Sequence, residues 1–458
     1  MIDRYHDLVI LLTRGISQRK MYFDDHPRVR ACADEFTRSL AAQMDEDGKE
    51  KFFIGVANGK LVHEGKYLIG PSIIGNRLTA FAELTGAGGF LFSRGVTSAE
   101  VREFFAVAAG QSAKLEDLAE ARRLLQSRNI RSIELSPPYE DAGWFGQFLF
   151  DYEDNGSGPS DQDAEVNSLL STFQSLYSTA EEAIDAGRTG RGLDLDRARD
   201  TSDMLMKAAG GQVHDIMQLI RYPDYDTYTV GHSVRVAMFA VMVGLRLGLP
   251  EPQLNELGVA ALLHDVGKGR IPQDILYKPG RLDEHERAIM EQHPQRGAEI
   301  LLGSRNASEM AIAAAWGHHR RYDGKGYPRM SIPSREGPFT RIINVCDVYE
   351  ALTAIRPYKK AHTSRKALEI MLADEGWFCP SALSAFCGAV GLYPAGSRVL
   401  LDDGHQAKVI AQSSLFDRPL VEITHGPGGR ALPAGSRIEV DLSTRSHGLT
   451  IREQLIPA

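Results

Sequence analysis

The sequence predicts a mainly α-helical protein with an N-terminal α/β (α+β) module and a small C-terminal β appendage. Three observations carry this expectation. Long apolar runs with helix-start signals fill residues 205–394, an acidic stretch without branched aliphatic residues occupies 151–165, and alternating β-branched runs follow Tyr393-Pro394. Within residues 1–150, helices are expected near 2–15 and 28–43. The run from Phe52 to His63 then reads as two strands around Asn58-Gly59, a strong hairpin signal. Gly89 to Phe92 and Ile130 to Leu135 are further expected strands. Thr97 is spaced from Glu100 as a capping box, and another helical pattern covers Leu115 to Leu125. His26 and His63 stand isolated and read as surface residues. No nucleotide loop, metal cluster or catalytic constellation is legible here, so residues 1–150 are expected to be a regulatory or dimerisation module of unspecified ligand.

Residues 151–165 are acidic and carry Gly, Ser and Pro, the composition of a linker. Amphipathic helices are expected over 166–187 and 194–220, opening a helical domain that runs to 394. After it, strands are expected at Arg398–Leu401, Ala407–Ile410, Leu420–Thr424 and Arg437–Val440, so that 395–458 forms the appendage.

The chemistry concentrates in the helical domain. Ala-Leu-Leu-His-Asp-Val-Gly-Lys at 261–268 delivers His264 and Asp265 side by side at the end of an apolar helix. His232 opens the apolar segment Val234 to Leu247, and His293 precedes Pro294 in a helix that Asp283 and Glu286 begin with capping-box spacing. His318 and His319 close a small-residue helix capped by Ser308, while Asp347 lies inside the apolar run 341–352. A buried carboxylate or imidazole is costly without a partner. Taken singly, each of these is more often a satisfied core residue than a ligand. Together, five histidines and two aspartates on consecutive helices are explained most economically by one shared dinuclear metal site.

The segments Gly-His-Ser-Val-Arg-Val, Leu-Leu-His-Asp-Val-Gly-Lys, Ile-Pro-Gln-Asp-Ile-Leu-Tyr-Lys-Pro-Gly, Gln-His-Pro-Gln-Arg-Gly-Ala-Glu-Ile-Leu, His-His-Arg-Arg-Tyr-Asp-Gly-Lys-Gly-Tyr-Pro and Arg-Pro-Tyr-Lys-Lys-Ala, in this order, resemble the HD-GYP family. These are bacterial metal-dependent phosphodiesterases acting on cyclic dinucleotides. The likeness covers roughly residues 205–395 and implies an all-helical HD-GYP catalytic domain. It implies one metal between His232, His264, Asp265 and Asp347, and a second held by His293, His318, His319 and a shared Asp265. Tyr228 stands where three-metal members carry a Glu, which indicates the two-metal version. By the same resemblance Lys268, Arg356 and Lys359 meet substrate phosphates, and Asp323, Gly324, Gly326, Tyr327 and Pro328 form the signature loop, implicated in contacts with GGDEF domains. From the residues alone, Arg356 and Lys359 read as a solvated helix stop. Two departures stand out: Arg320 replaces the Glu of the usual His-His-Glu, reversing a charge next to the ligands, and Glu350 replaces the usual Asp after Asp347.

The implied function is hydrolysis of cyclic di-GMP to linear pGpG or onward to GMP, through two divalent ions, iron or manganese, that activate a bridging hydroxide at Asp265, with Lys268 supporting the phosphoryl charge. The alternatives are a phosphodiesterase preferring cyclic GMP-AMP and a non-catalytic receptor or scaffold. Across 458 residues, 43% hydrophobic and 24% charged, the net charge of −8 excludes a bulk nucleic-acid binder. Four cysteines in no metal or disulfide spacing point to a reducing cytoplasm. The early apolar run Leu8 to Leu12 is too short to span a bilayer, and a homodimer is expected.

Overall fold

The computed structural model describes residues 2–21, 26–57, 59–63, 66–68, 75–138, 161–211, 228–278, 280–329, 335–354, 361–413, 415–430, 432, 437–444 and 448–455. The chain forms two compact units, residues 1–174 with 224–227, and residues 175–223 with 228–458.

The first unit begins with α1 (Ile2–Met21) and α2 (Pro27–Asp47), followed by strands β1 (Lys51–Ala57), β2 (Lys60–His63) and β3 (Lys66–Tyr67). Helix α3 (Asn76–Thr85), β4 (Gly89–Ser93), α4 (Ser98–Gly110), α5 (Leu118–Ser127) and β5 (Ile133–Ser136) complete it. The sheet is antiparallel in the order β3-β2-β1-β4-β5. Ala57 pairs with Lys60, so the two strands join as the expected hairpin, Asn58 itself lying outside the described residues, and the Thr97–Glu100 capping box forms. Alternation along the strands sends Phe90 and Phe92 to the core face, where they meet Phe36, Phe81 and Phe104. The edge-to-face pairs among these rings have centroids 5.3 to 6.1 Å apart, a geometry favoured by the ring quadrupole. His63 is not a surface residue: it shares the face of Leu61 two positions back, is 8% exposed, and its Nδ1 lies 2.7 Å from the Phe53 carbonyl. His26 caps α2, its Nδ1 accepting from the Arg28 N–H at 3.3 Å.

Helix α6 (Asp161–Thr189) contains residues 161–165, which the sequence reading had placed in the linker. Composition alone cannot separate a polar first turn of a helix from a solvated linker. Residues 139–160 lie outside the described residues. Helix α7 (Leu195–Gly211) follows.

The helical core of the second unit is α8 (Tyr228–Arg246), α9 (Glu251–Leu263), α10 (Gln273–Leu276), α11 (Glu284–Met290), α12 (His293–Leu302), α13 (Glu309–Gly317), α14 (Pro338–Thr353), α15 (Ser364–Ala373) and α16 (Pro380–Val390). Residues 229–244 of α8 are all buried, as an all-round apolar helix requires, and α8 packs on α9, α14 and α16. The Asp283–Glu286 capping box and the Ser308 cap both form. Pro294 restarts a helix at His293 rather than kinking one, since proline is tolerated in a first turn. A C-terminal antiparallel sheet has the order β10-β6-β7-β8-β9: β6 (Arg398–Leu401), β7 (Gln406–Ala411), β8 (Leu420–His425), β9 (Ile438–Asp441) and β10 (Ile451–Leu455). The edge strand β10 was not foreseen, because Arg452, Glu453 and Gln454 interrupt apolar alternation and a bulge breaks its register. Among the described residues, no helix is long and apolar enough to cross a membrane.

Candidate metal centre

Five helix ends or interiors converge on Asp265. The C-terminal half of α9, Leu257 to Leu263, is buried on every side, and the helix stops at Leu263, handing His264 and Asp265 to a 3-10 turn, Val266–Arg270. That turn presses directly on α12. A Cβ on Gly267 would lie 2.0 Å from the His293 carbonyl oxygen and 2.4 Å from the Gly297 nitrogen, so only glycine permits the contact. Asp265 Oδ1 consequently lies 3.2 Å from His293 Nε2 and 3.6 Å from His318 Nε2. Its Oδ2 lies 3.4 Å from His232 Nε2 and 3.5 Å from His264 Nε2. Helix α14 supplies Asp347, with Oδ1 3.1 Å from His232 Nε2 and Oδ2 3.7 Å from His319 Nδ1. All seven residues the sequence singled out as ligands meet in one place. Two groups of donor atoms, His232-His264-Asp347 and His293-His318-His319, each lie within 4.8 Å of one another, and Asp265 stands between them.

Backbone carbonyls orient the rings. Nδ1 of His264, His293 and His318 donates to the carbonyls of Ala261, Met290 and Ala315 at 2.7, 2.8 and 2.9 Å, which leaves each Nε2 with its lone pair. Asn344 donates to the His318 carbonyl at 2.7 Å. Among the described residues, Asp265 Oδ1 and His264 Nε2 are each buried without a hydrogen-bond partner, a costly state that a cation beside each would relieve. The donor set of imidazoles and carboxylates suits a divalent transition metal, so the residues present fit such ions.

Charge is distributed to match. Burial pushes the His264 imidazole down to about 3 and also lowers His293 and His319, so these rings are neutral and able to coordinate. Asp265 and Asp347 remain well below the usual carboxylate range: burial opposes this, but Lys268 beside Asp265 and His232 beside Asp347 outweigh it. His232 is the exception among the rings. Burial disfavours its charge, yet Glu350 and Asp347 hold its pKa up at about 9. Without metal, His232 is therefore protonated at neutral pH, and a cation must displace the Nε2 proton. Metal affinity is expected to rise about tenfold per pH unit from neutrality until the His232 pKa is passed. Calorimetry in buffers of different ionisation enthalpy checks this. Affinity that is flat across neutral and mildly alkaline pH would contradict it.

Glu350 is the partner that the sequence reading set aside as a mere departure. It accepts from His232 Nδ1 and is held in turn by Arg235, with Nε and Nη2 each 2.6 Å from Oε1. A lone arginine inside the apolar run Val-Arg-Val-Ala was the available signal, since a buried guanidinium requires a carboxylate. Arg320 does not turn its charge on the ligands as expected. It is 5% exposed, pairs with Glu336 and donates to the Pro328 carbonyl at 3.1 Å, with its guanidinium over Trp316.

The signature loop closes over the second donor group. The Tyr327 ring lies 4.6 Å from that of His319 and 6.3 Å from that of His293. Gly326, at φ 85°, brings the loop back so close that a Cβ there would meet the His319 carbonyl at 2.3 Å. Asp323 and Tyr322 donate their backbone N–H groups to the Gly376 and Trp377 carbonyls, each at 2.8 Å, and Gly324 continues the turn. Lys268 Nζ is hydrogen-bonded to Asp265 Oδ2. Arg356 and Lys359 lie outside the described residues, as does the side chain of Tyr228.

With this geometry in place, comparison with known proteins is direct. The profile of the family described as HD domain matches residues 223–381. This stretch is similar to the HD domain family and contains all seven residues of the candidate metal centre. The chain is 35% identical over 260 residues to a cyclic di-GMP phosphodiesterase of Pseudomonas aeruginosa, covering 56% of this chain and 63% of that protein. A second relative is the cyclic di-GMP phosphodiesterase response regulator RpfG of Xanthomonas campestris pv. campestris, 39% identical over 163 residues, which cover 35% of this chain and 43% of the relative. A third is the 3'3'-cGAMP-specific phosphodiesterase 2 of Vibrio cholerae, 39% identical over 150 residues, which cover 32% of this chain and 28% of the relative. The chain thus spans less than two thirds of the length of each of these relatives.

Proposed function

We propose that the protein is a metal-dependent phosphodiesterase that hydrolyses cyclic di-GMP to linear pGpG or GMP. The observation that carries this reading is Asp265, whose two oxygens face two separate sets of imidazoles. A carboxylate placed in this way can bridge two cations. The names of the relatives support the substrate class, and the histidine-rich donor set supports iron or manganese as the pair of ions.

Bound at these residues, divalent ions would supply Lewis acidity, which lowers the pKa of water and offsets charge on a phosphoryl group. His232, His264 and Asp347 would hold one ion, and His293, His318 and His319 the other, with Asp265 common to both. The chain's own part is orientation and charge. The carbonyls behind His264, His293 and His318 keep the rings aimed, and Glu350 does the same for His232. Lys268, beside the bridging carboxylate, is placed to stabilise negative charge growing on a phosphoryl oxygen and to give a proton to the departing ribose oxygen. Arg356 and Lys359 would add charge from the segment after α14.

The test is metal analysis of anaerobically purified protein together with hydrolysis of cyclic di-GMP and 3'3'-cGAMP. Faster turnover of cyclic di-GMP is expected, and a preference for 3'3'-cGAMP or no turnover by metal-loaded protein would overturn the assignment. Lys268→Met and Arg356→Met are each expected to lower kcat on the order of 10²–10³-fold with metal content unchanged, the usual loss for one oriented donor. Near-parental kcat in both, with the ions in place, would remove these residues from the substrate site.

A further inference from the structure

We propose that the N-terminal unit binds a small amphiphile, an apolar body with one anionic head, in a cavity beside strands β1, β4 and β5. The cavity measures about 1140 Å³, slightly above the roughly 300–1,000 Å³ usual for small-molecule sites. Its lining comes entirely from residues 49–136 and contains none of the seven residues of the candidate metal centre.

The strand register builds the apolar part. Phe53 pairs with Leu91, and Leu91 with Glu134, so these three side chains form a row on the face away from the phenylalanine core. Gly89 on β4 makes room for Phe53: a Cβ there would lie 2.7 Å from the tip of that ring. Leu125 and Ile130 extend the apolar lining.

The polar part is lopsided. Lys49, Lys51, Arg122 and Arg131 line the cavity against the two acids Glu50 and Glu134, in a chain of net charge −8. Both acids are already matched, Glu134 by Lys51 at 3.4 Å and Glu50 by Arg94 at 2.8 Å. Among the described residues, no carboxylate pairs with the guanidinium of Arg122 or Arg131, although the Arg131 backbone N–H donates to Glu100 at 2.9 Å. Arg122 is held in place by two bonds to the Leu135 carbonyl, at 3.1 and 2.8 Å. A guanidinium so placed is a docking point for a carboxylate, sulfonate or phosphate head.

An independent feature marks the same space. Ser136, 3% exposed and on the face of Glu134, lines the cavity with an Oγ that has no hydrogen-bond partner among the described residues. A buried hydroxyl left unsatisfied costs free energy that a ligand's polar atom would recover. An apolar body against Phe53 and Leu91, a polar atom at Ser136 and an anion toward Arg122 and Arg131 together define the ligand class.

The test uses the full chain and two dyes of like shape, anionic 8-anilinonaphthalene-1-sulfonate and uncharged N-phenyl-1-naphthylamine. The parental protein is expected to bind one equivalent of each saturably at this site. Ser136→Phe, which fills the cavity, should remove that equivalent for both dyes while the near-UV circular dichroism stays native. Arg131→Glu, on an exposed side chain, should weaken the sulfonate about three- to tenfold and leave the neutral dye unchanged. No saturable binding by the parental protein would overturn the proposal. So would undiminished binding by a native Ser136→Phe protein, or an equal response of the two dyes to Arg131→Glu, and this last comparison decides the matter even if Ser136→Phe does not fold.

Discussion

Asp265→Ala is expected to bring metal content close to zero and turnover to background while helical content persists. The carboxylate touches both donor groups, so its loss cannot be confined to one ion. It also takes the counter-ion from Lys268, whose side chain is 13% exposed. Removing one partner of a buried pair commonly costs about 3–5 kcal/mol, and the partial exposure of Lys268 places this case at the low end. Asp265→Asn separates shape from charge and is expected to fail in the same way, because an amide cannot bridge two cations as a carboxylate does. Metal analysis, circular dichroism and a hydrolysis assay on one preparation decide it. A metal-free Asp265→Ala protein with parental turnover would end the dinuclear reading.

Glu350→Gln should weaken metal binding about 10–100-fold, the usual effect of losing the partner that orients a ligating histidine. It should also lower stability by about 3–5 kcal/mol, since Arg235, its side chain 9% exposed, loses the carboxylate it was buried against. Burial raises the pKa of Glu350, but Arg235 and His232 override it and bring it to about 2. A carboxyl depressed in the folded state contributes stability that is present above its ordinary value of 4.5 and is lost as pH falls toward about 2. The parental apoprotein should therefore lose stability over that acid window more steeply than Glu350→Gln. Glu350→Asp, which restores the charge at shorter reach, should recover part of the metal affinity. Unchanged affinity in Glu350→Gln would reduce the His232–Glu350 contact to packing.

Sequence signals with a local mechanism were legible. Thr97 with Glu100, Asp283 with Glu286, Ser308 and the Asn58-Gly59 hairpin each announce their structure within four residues, because the hydrogen bonds involved are local. The seven ligand-type residues were legible for another reason: ionisable groups in apolar helices carry a cost that must be met. What stayed hidden depended on long-range partners. Glu350 reaches His232 across 118 positions and Arg320 finds Glu336 across a loop, and no periodicity records either choice. His63 was misread because a lone histidine on a short strand gives no sign of which face is inward. Strand β10 was missed because an edge strand can be polar.

The contact between Gly267 and Gly297 makes the backbone a spacer for the chemistry. Asp265 lies two residues before Gly267, and His293 four residues before Gly297, so the closeness of two main chains, rather than any side chain, sets how far apart the two halves of the centre stand. A methyl group at Gly267 would leave every coordinating atom present in the sequence and still wedge the two sets away from each other. Possession of all the ligands is therefore a weaker criterion for a working centre in a related chain than possession of the ligands together with that hydrogen-sized gap.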